Sequence, residues 1–207
     1  MSIKIDYNTP ELDYCLLKHL VSDRKFVRNA ISVLVRNSTL IHVKKGLYVN
    51  TAASLPSLGV LANMIYGPSY VSQEYALYHY GLIAEQPKML TSMTLKMRKS
   101  FKTTYGIFSY EQITKKRFFI GTTIVTIGEG RGFIIATPEK ALCDKFSRVS
   151  SISTPQEALD YCTEDLRIEA HELRKRMSLP LLKKIAQAFQ DKSVDNLYKA
   201  ICKLKKE

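Results

Sequence analysis

The chain has 207 residues and a formal net charge of +12, long enough for one large or two small units with buried cores. No apolar run reaches the roughly 18 residues of a membrane-spanning helix and no basic-then-apolar leader opens the chain, so the expectation is a cytoplasmic protein with no membrane partner. The positive excess, +4 over residues 1–50, +6 over 51–150 and +2 over 151–207, suits a polyanion such as nucleic acid.

Residues 1–8 read as a short strand, with Ile3 and Ile5 alternating. Thr9 then caps a first helix, with Pro10 at its first position and an apolar stripe of Leu12, Cys15, Leu16 and Leu20. A second, basic helix spans 24–37, with Ser22 or Asp23 as its N-cap. At about 100° per residue, Val27, Ala30, Ile31 and Leu34 gather on one face. Arg24, Lys25, Arg28, Asn29, Ser32 and Arg36 fall within an arc of roughly 140° on the other. Those are the residue types that meet phosphates and base edges in a major groove: arginine forks onto guanine, asparagine onto adenine, serine onto either.

A hairpin follows directly. Leu40-Ile41-His42-Val43 is β-rich, Lys44-Lys45-Gly46 is a basic turn, and Leu47-Tyr48-Val49 returns. Gly46 supplies the positive φ of a tight turn. A helix joined to a lysine-tipped hairpin points to a winged helix-turn-helix, with Lys44 and Lys45 near a backbone phosphate. An amphipathic helix with a solvated face is the plainer alternative.

Residues 51–58, small and polar around Pro56, form a linker. Leu58 to Tyr66 is a short helix stopped by Gly67-Pro68. Ser72 then caps a helix ending at Gly81. Tyr66, Tyr70, Tyr75, Tyr78 and Tyr80 form a dense cluster, best explained by ring packing with hydroxyls at a wet surface, with a protein-recognition patch as the alternative. Residues 91–136 read as a small antiparallel sheet with strands at 91–97, 107–110, 118–120, 123–127 and 133–136. Met93, Leu95 and Met97 lie on one face of its first strand, and Ser92, Thr94, Lys96 and Arg98 on the other. Arg98, Lys99 and Lys102, with Lys115, Lys116 and Arg117, make a candidate second basic surface, though a solvated sheet face is the plainer explanation. The glycines of Gly128-Glu129-Gly130-Arg131-Gly132 mark a hairpin turn and no phosphate loop, because a strand follows them and the Walker Lys-Ser/Thr is missing.

From Thr137-Pro138 the chain turns helical, with further helices at 155–164, about 168–177, 180–190 and 193–204. The fold expectation is α+β: a winged helix-turn-helix over 1–50, then a mixed domain over 51–207 with a small antiparallel sheet and a C-terminal helical bundle. Cys15, Cys143, Cys162 and Cys202 are far apart, as are the four histidines, so no metal site is expected. No cofactor motif, nucleophile–base set or nucleotidyltransferase Gly-Ser with paired aspartates is present. Glu129-Gly130-Arg131 is the nearest approach to a nuclease Glu-x-Lys, and enzymatic activity is not expected.

Three pieces occur in a fixed order: the basic helix leading to Lys45-Gly46-Leu47-Tyr48, then Gly67-Pro68-Ser69-Tyr70-Val71-Ser72 with Ala76-Leu77-Tyr78-His79-Tyr80-Gly81-Leu82, and finally Ala136-Thr137-Pro138-Glu139-Lys140-Ala141-Leu142-Cys143-Asp144. Together, over roughly 24–150, they resemble the AbiEi family of abortive-infection antitoxins, which act in type IV toxin–antitoxin systems of phage defence. The resemblance implies an N-terminal winged helix, repression of the protein's own operon through promoter DNA, and a C-terminal domain that counteracts a nucleotidyltransferase-like toxin. By that analogy the DNA contacts map onto Arg24, Lys25, Arg28, Asn29, Ser32, Arg36, Lys44 and Lys45. A transcriptional regulator or a protein-interaction module without an antitoxin role is the alternative.

Overall fold

A computed structural model describes residues 8–21, 26–128, 130–149 and 152–206. The expected strand at 1–8 and the caps Ser22 and Asp23 therefore fall almost wholly outside the described residues. The first elements are β1 (Glu11–Asp13), α1 (Tyr14–Leu20), α2 (Val27–Arg36), β2 (Leu40–Lys44) and β3 (Leu47–Asn50). The three strands form an antiparallel sheet in the order β1-β3-β2.

Thr9 and Pro10 do not open a helix. Glu11–Asp13 instead pairs with β3, setting Leu12 opposite Tyr48, and Asp13 caps α1 by accepting from the Leu16 amide at 2.7 Å. The strand wins because it buries Leu12 completely and uses the outer edge of β3. Of the expected stripe, Leu12, Leu16 and Leu20 do lie against the core, but Cys15 is exposed and Leu17 is the residue of α1 that is buried. Helix α2 starts at Val27 with Phe26 at the cap position, a turn later than the sequence suggests. Its inward face is as expected: Ala30, Ile31 and Leu34 are buried.

The hairpin is covered on both sides. Side chains alternate along a strand, so Tyr48 joins Leu12 and Leu40 in the core under α1 and α2. Leu47 and Val49, with Val43, enter the larger core formed by the rest of the chain. The small sheet is thus the shared wall of two hydrophobic clusters.

The second sheet is larger than expected and mixed. It contains β4 (Ser69–Val71), β5 (Met89–Thr94), β6 (Lys99–Thr103), β7 (Gly106–Gln112), β8 (Thr122–Gly128) and β9 (Arg131–Ala136). Their order is β6-β7-β5-β4-β9-β8. The β4–β9 and β5–β7 pairs are parallel and the others antiparallel. Both faces of β5 are covered, so Leu90 to Thr94 are all buried instead of alternating. Helices α3 (Leu58–Ile65) and α4 (Gln73–His79) pack against this sheet. At Gly59 a Cβ would come within 2.5 Å of the Phe133 ring, so α3 sits close on β9 because it has none.

Phe118-Phe119-Ile120 is no strand. Phe118 closes a single turn, α5 (Lys115–Phe118), and packs edge-on against Tyr70 with ring centroids 5.1 Å apart. The Gly-rich stretch is the expected turn of the β8–β9 hairpin. The remaining helices are α6 (Pro138–Phe146), α7 (Pro155–Asp160) with a π-helical turn at Tyr161–Asp165, α8 (Ala170–Arg176), α9 (Leu179–Phe189) and α10 (Lys192–Leu204). No helix among the described residues is long and apolar enough to cross a membrane.

Candidate nucleic-acid interface

Burying Ala30, Ile31 and Leu34 turns the opposite side of α2 outward. Arg28, Asn29, Ser32 and Arg36 are all exposed there. Arg28, Ser32 and Arg36 follow one another at four-residue steps along this face. The Ser32 hydroxyl donates to the Arg28 carbonyl at 2.9 Å, leaving its lone pairs outward. Arg24 and Lys25 lie outside the described residues.

The hairpin tip stands beside this face. Gly46 takes φ +81°, and its carbonyl accepts from the Tyr14 amide at 2.9 Å, which ties the tip to the start of α1. Between α2 and the tip is a cleft of about 710 Å3 lined by Tyr14, Arg28, Ile31, Ser32, Lys45, Gly46 and Tyr48. Lys45 is exposed at its rim. Lys44 is not: it belongs to β2, and its ammonium donates to the Ile65 carbonyl at the C-terminal end of α3. Burial and the nearby charges of Lys96 and Lys99 lower its pKa below the ordinary lysine value. Of the two lysines expected at the tip, only Lys45 shares the outer face with α2.

The six residues of the second basic surface are divided between elements. Lys99 and Lys102 belong to the edge strand β6 and Arg98 immediately precedes it, paired with Glu111 at 3.0 Å. Lys115, Lys116 and Arg117 lie on α5, which packs on α9. Arg117 is committed to the carbonyl of Phe189 and stacks over its ring. Lys99 instead groups with Lys96, which sequence reasoning left out, around the Tyr66 ring at 5.9 and 5.0 Å.

A second polar cluster was also missed. Asp144 accepts from Lys140 at 2.8 Å, Tyr70 at 2.9 Å and Ser72 at 2.7 Å. All four side chains are fully buried. Ser72 occupies the cap position of α4, but its hydroxyl is spent on Asp144 instead of the helix amides. The Tyr70 hydroxyl likewise lies in the core and not at the wet surface expected of the tyrosine cluster. This knot ties the end of β4 and the start of α4 to α6. The four-residue step from Lys140 to Asp144 on one face of α6, beside Ala141, Leu142 and Cys143, was the available signal. With no path to solvent, the knot orders the core.

A cleft of about 690 Å3 opens near Glu74, Lys145, Glu85 and Arg167. Two ion pairs line it, Lys145 with Glu74 and Arg167 with Glu85 at 3.4 Å, together with Lys88 and Asp165. Among the described residues no group of histidine, cysteine and acidic side chains is placed to hold a metal.

The chain matches no protein-family model and no curated protein. Two Helicobacter pylori crystal structures are distantly similar. JHP933 is 12% identical with TM-score 0.35, over 72% of this chain and 88% of that one. A "putative nucleotidyltransferase" is 12% identical with TM-score 0.33, over 71% and 87%. A likeness of this size leaves function to be read from the residues.

Proposed function

We propose that this protein binds double-stranded DNA through a winged helix made of α2 and the β2–β3 hairpin. In this reading it represses its own promoter and, through residues 51–207, serves as the antitoxin to a nucleotidyltransferase-like toxin. The observation that carries the DNA reading is the joint exposure of Arg28, Asn29, Ser32 and Arg36 on α2 beside Lys45 at the hairpin tip. Among the described residues neither Arg28 nor Lys45 has an acidic partner, so their charge remains for phosphate.

The mechanism is non-enzymatic. Arg36 and Lys45 neutralise backbone phosphates and fix the register, while Arg28, Asn29 and Ser32 read base edges. Lys44 holds the hairpin to α3 and takes no part. The antitoxin half rests on the resemblance that the ordered stretches Gly67–Ser72, Ala76–Leu82 and Ala136–Asp144 bear to the AbiEi family.

An electrophoretic shift with the DNA upstream of the gene, run across a salt series, tests the first half. The expected result is a sequence-preferring complex whose affinity falls linearly in log–log form with salt. Binding that ignores both salt and sequence would overturn it. Co-expression with the neighbouring reading frame tests the second half: growth restored by this chain supports an antitoxin, and unchanged toxicity removes that role.

A further inference from the structure

The cleft between α2 and the hairpin is larger and more varied than a lone phosphate contact requires. Its floor is the buried side chain of Ile31, its walls include the half-buried rings of Tyr14 and Tyr48, and its rim carries Arg28 and Lys45. At about 710 Å3 it lies within the size range of small-molecule sites. Among the described residues the Tyr14 and Tyr48 hydroxyls have no hydrogen-bond partner, whereas in the cleft near Glu74 both Lys145 and Arg167 are held by carboxylates. Apolar floor, aromatic walls and two unspent cations together match a ligand that is a ring at one end and an anion at the other.

We propose that this cleft receives one nucleotide unit, with its base or sugar against Tyr14, Tyr48 and Ile31 and its phosphate between Arg28 and Lys45 when free, or on Lys45 alone in a strand, where Arg28 is turned to a base edge. Aromatic faces accept any base by stacking, so the site is tolerant of sequence. The nucleotide comes either free from solution or as one unit of a DNA strand passing between helix and hairpin. The strand form rests on the DNA-binding reading above; the free form does not.

The test is calorimetric titration of the full chain with dAMP, 2-deoxyribose 5-phosphate and inorganic phosphate, alongside a labelled single strand and duplex. For the free form, dAMP binds at least about tenfold tighter than inorganic phosphate, displaces the labelled DNA, and is weakened by Lys45→Ala and Arg28→Ala. For the strand form, dAMP does not bind, and Tyr48→Leu lowers strand affinity about tenfold when measured well below its melting temperature. If Tyr48→Leu does not fold, amide shift changes at Ser32 and Gly46 on adding dAMP or the strand replace it as the readout. Equal affinity for dAMP and phosphate, with Tyr48→Leu neutral towards the strand, overturns the proposal, as do unmoved Ser32 and Gly46 amides at saturation. Binding of dAMP by a protein that shifts no DNA at any salt would uphold the cleft while removing the DNA reading.

Discussion

Glu11 and Arg131 are 120 positions apart in the chain and 3.1 Å apart in the structure. The Glu11 carboxylate also accepts from the Ser57 amide at 2.6 Å, and Arg131 extends to Ser54 at 3.4 Å. Strand β1, the segment after the hairpin and the β8–β9 hairpin therefore meet at one pair. The guanidinium that sequence reading set beside a nuclease motif is occupied with holding them together.

Both side chains are largely buried, at 1% exposure for Glu11 and 15% for Arg131. Removing one partner leaves a charge in the interior, so Arg131→Met should cost about 3 kcal/mol. Glu11→Gln combined with Arg131→Met should cost less than the two single changes added together. Urea midpoints of the four proteins check this, and strict additivity would count against the pair.

The Lys140–Asp144 pair is sealed completely, and it should behave more sharply. Lys140→Met strands the Asp144 carboxylate and is expected to cost about 3–5 kcal/mol, with Lys140→Met/Asp144→Leu recovering part of the loss. Tyr70→Phe, which removes one donor to the same carboxylate, should cost about 1 kcal/mol. DNA affinity measured well below the melting temperature should be unchanged in all three, because none of these side chains reaches the surface.

Alkaline pH should destabilise the protein. Burial raises the Cys162 thiol from 9.0 to about 12, and raises Tyr110, Tyr70 and Cys143 as well. A group whose pKa is raised by folding stabilises fully below its unfolded value. That stability is lost as pH climbs towards the folded value. For Cys162 the window runs from pH 9 to about 12, and by pH 10.5 its share of the loss is about 2 kcal/mol. Lys140, lowered mainly by burial, acts in the opposite sense below its ordinary value and blunts the fall. Unfolding free energies at pH 8 and 10.5 should therefore converge by about that amount in Cys162→Ala; an unchanged slope would refute the assignment.

The three basic residues around the hairpin should separate cleanly. Arg28→Ala is expected to weaken the cognate DNA by about 1–3 kcal/mol and relax one base position. Lys45→Ala should weaken all DNA alike and reduce the salt slope by about 1. Lys44→Met should leave DNA affinity untouched and cost about 1 kcal/mol of stability instead, through the Ile65 carbonyl. Gel shifts on matched and scrambled duplexes distinguish the three, and a DNA defect in Lys44→Met would contradict its inward placement.

Much of the local structure was legible because short-range physics decides it. The apolar spacing of Ala30, Ile31 and Leu34 located the inner face of α2, and Thr137-Pro138 located the start of α6. What failed depended on partners far along the chain. Glu11–Asp13 carries helix-start signals, yet β3 was waiting for a neighbour. Lys99–Thr103 fell between two expected strands and became an edge strand, where lysines are at home. Lys44 and Lys45 are adjacent in the chain, and nothing local says that one faces α3 and the other the cleft. The buried Tyr70–Asp144 contact spans 74 positions, so composition alone could not announce it.

The hairpin's double coverage has a practical consequence for anyone isolating the N-terminal segment. A fragment cut after Asn50 would carry Val43, Leu47 and Val49 to the surface together, bare of the aliphatic neighbours that cover them in the whole chain. Such a piece should aggregate or show a featureless circular dichroism spectrum. A soluble, sharply melting fragment would mean that α1, α2 and the small sheet need nothing from the remainder.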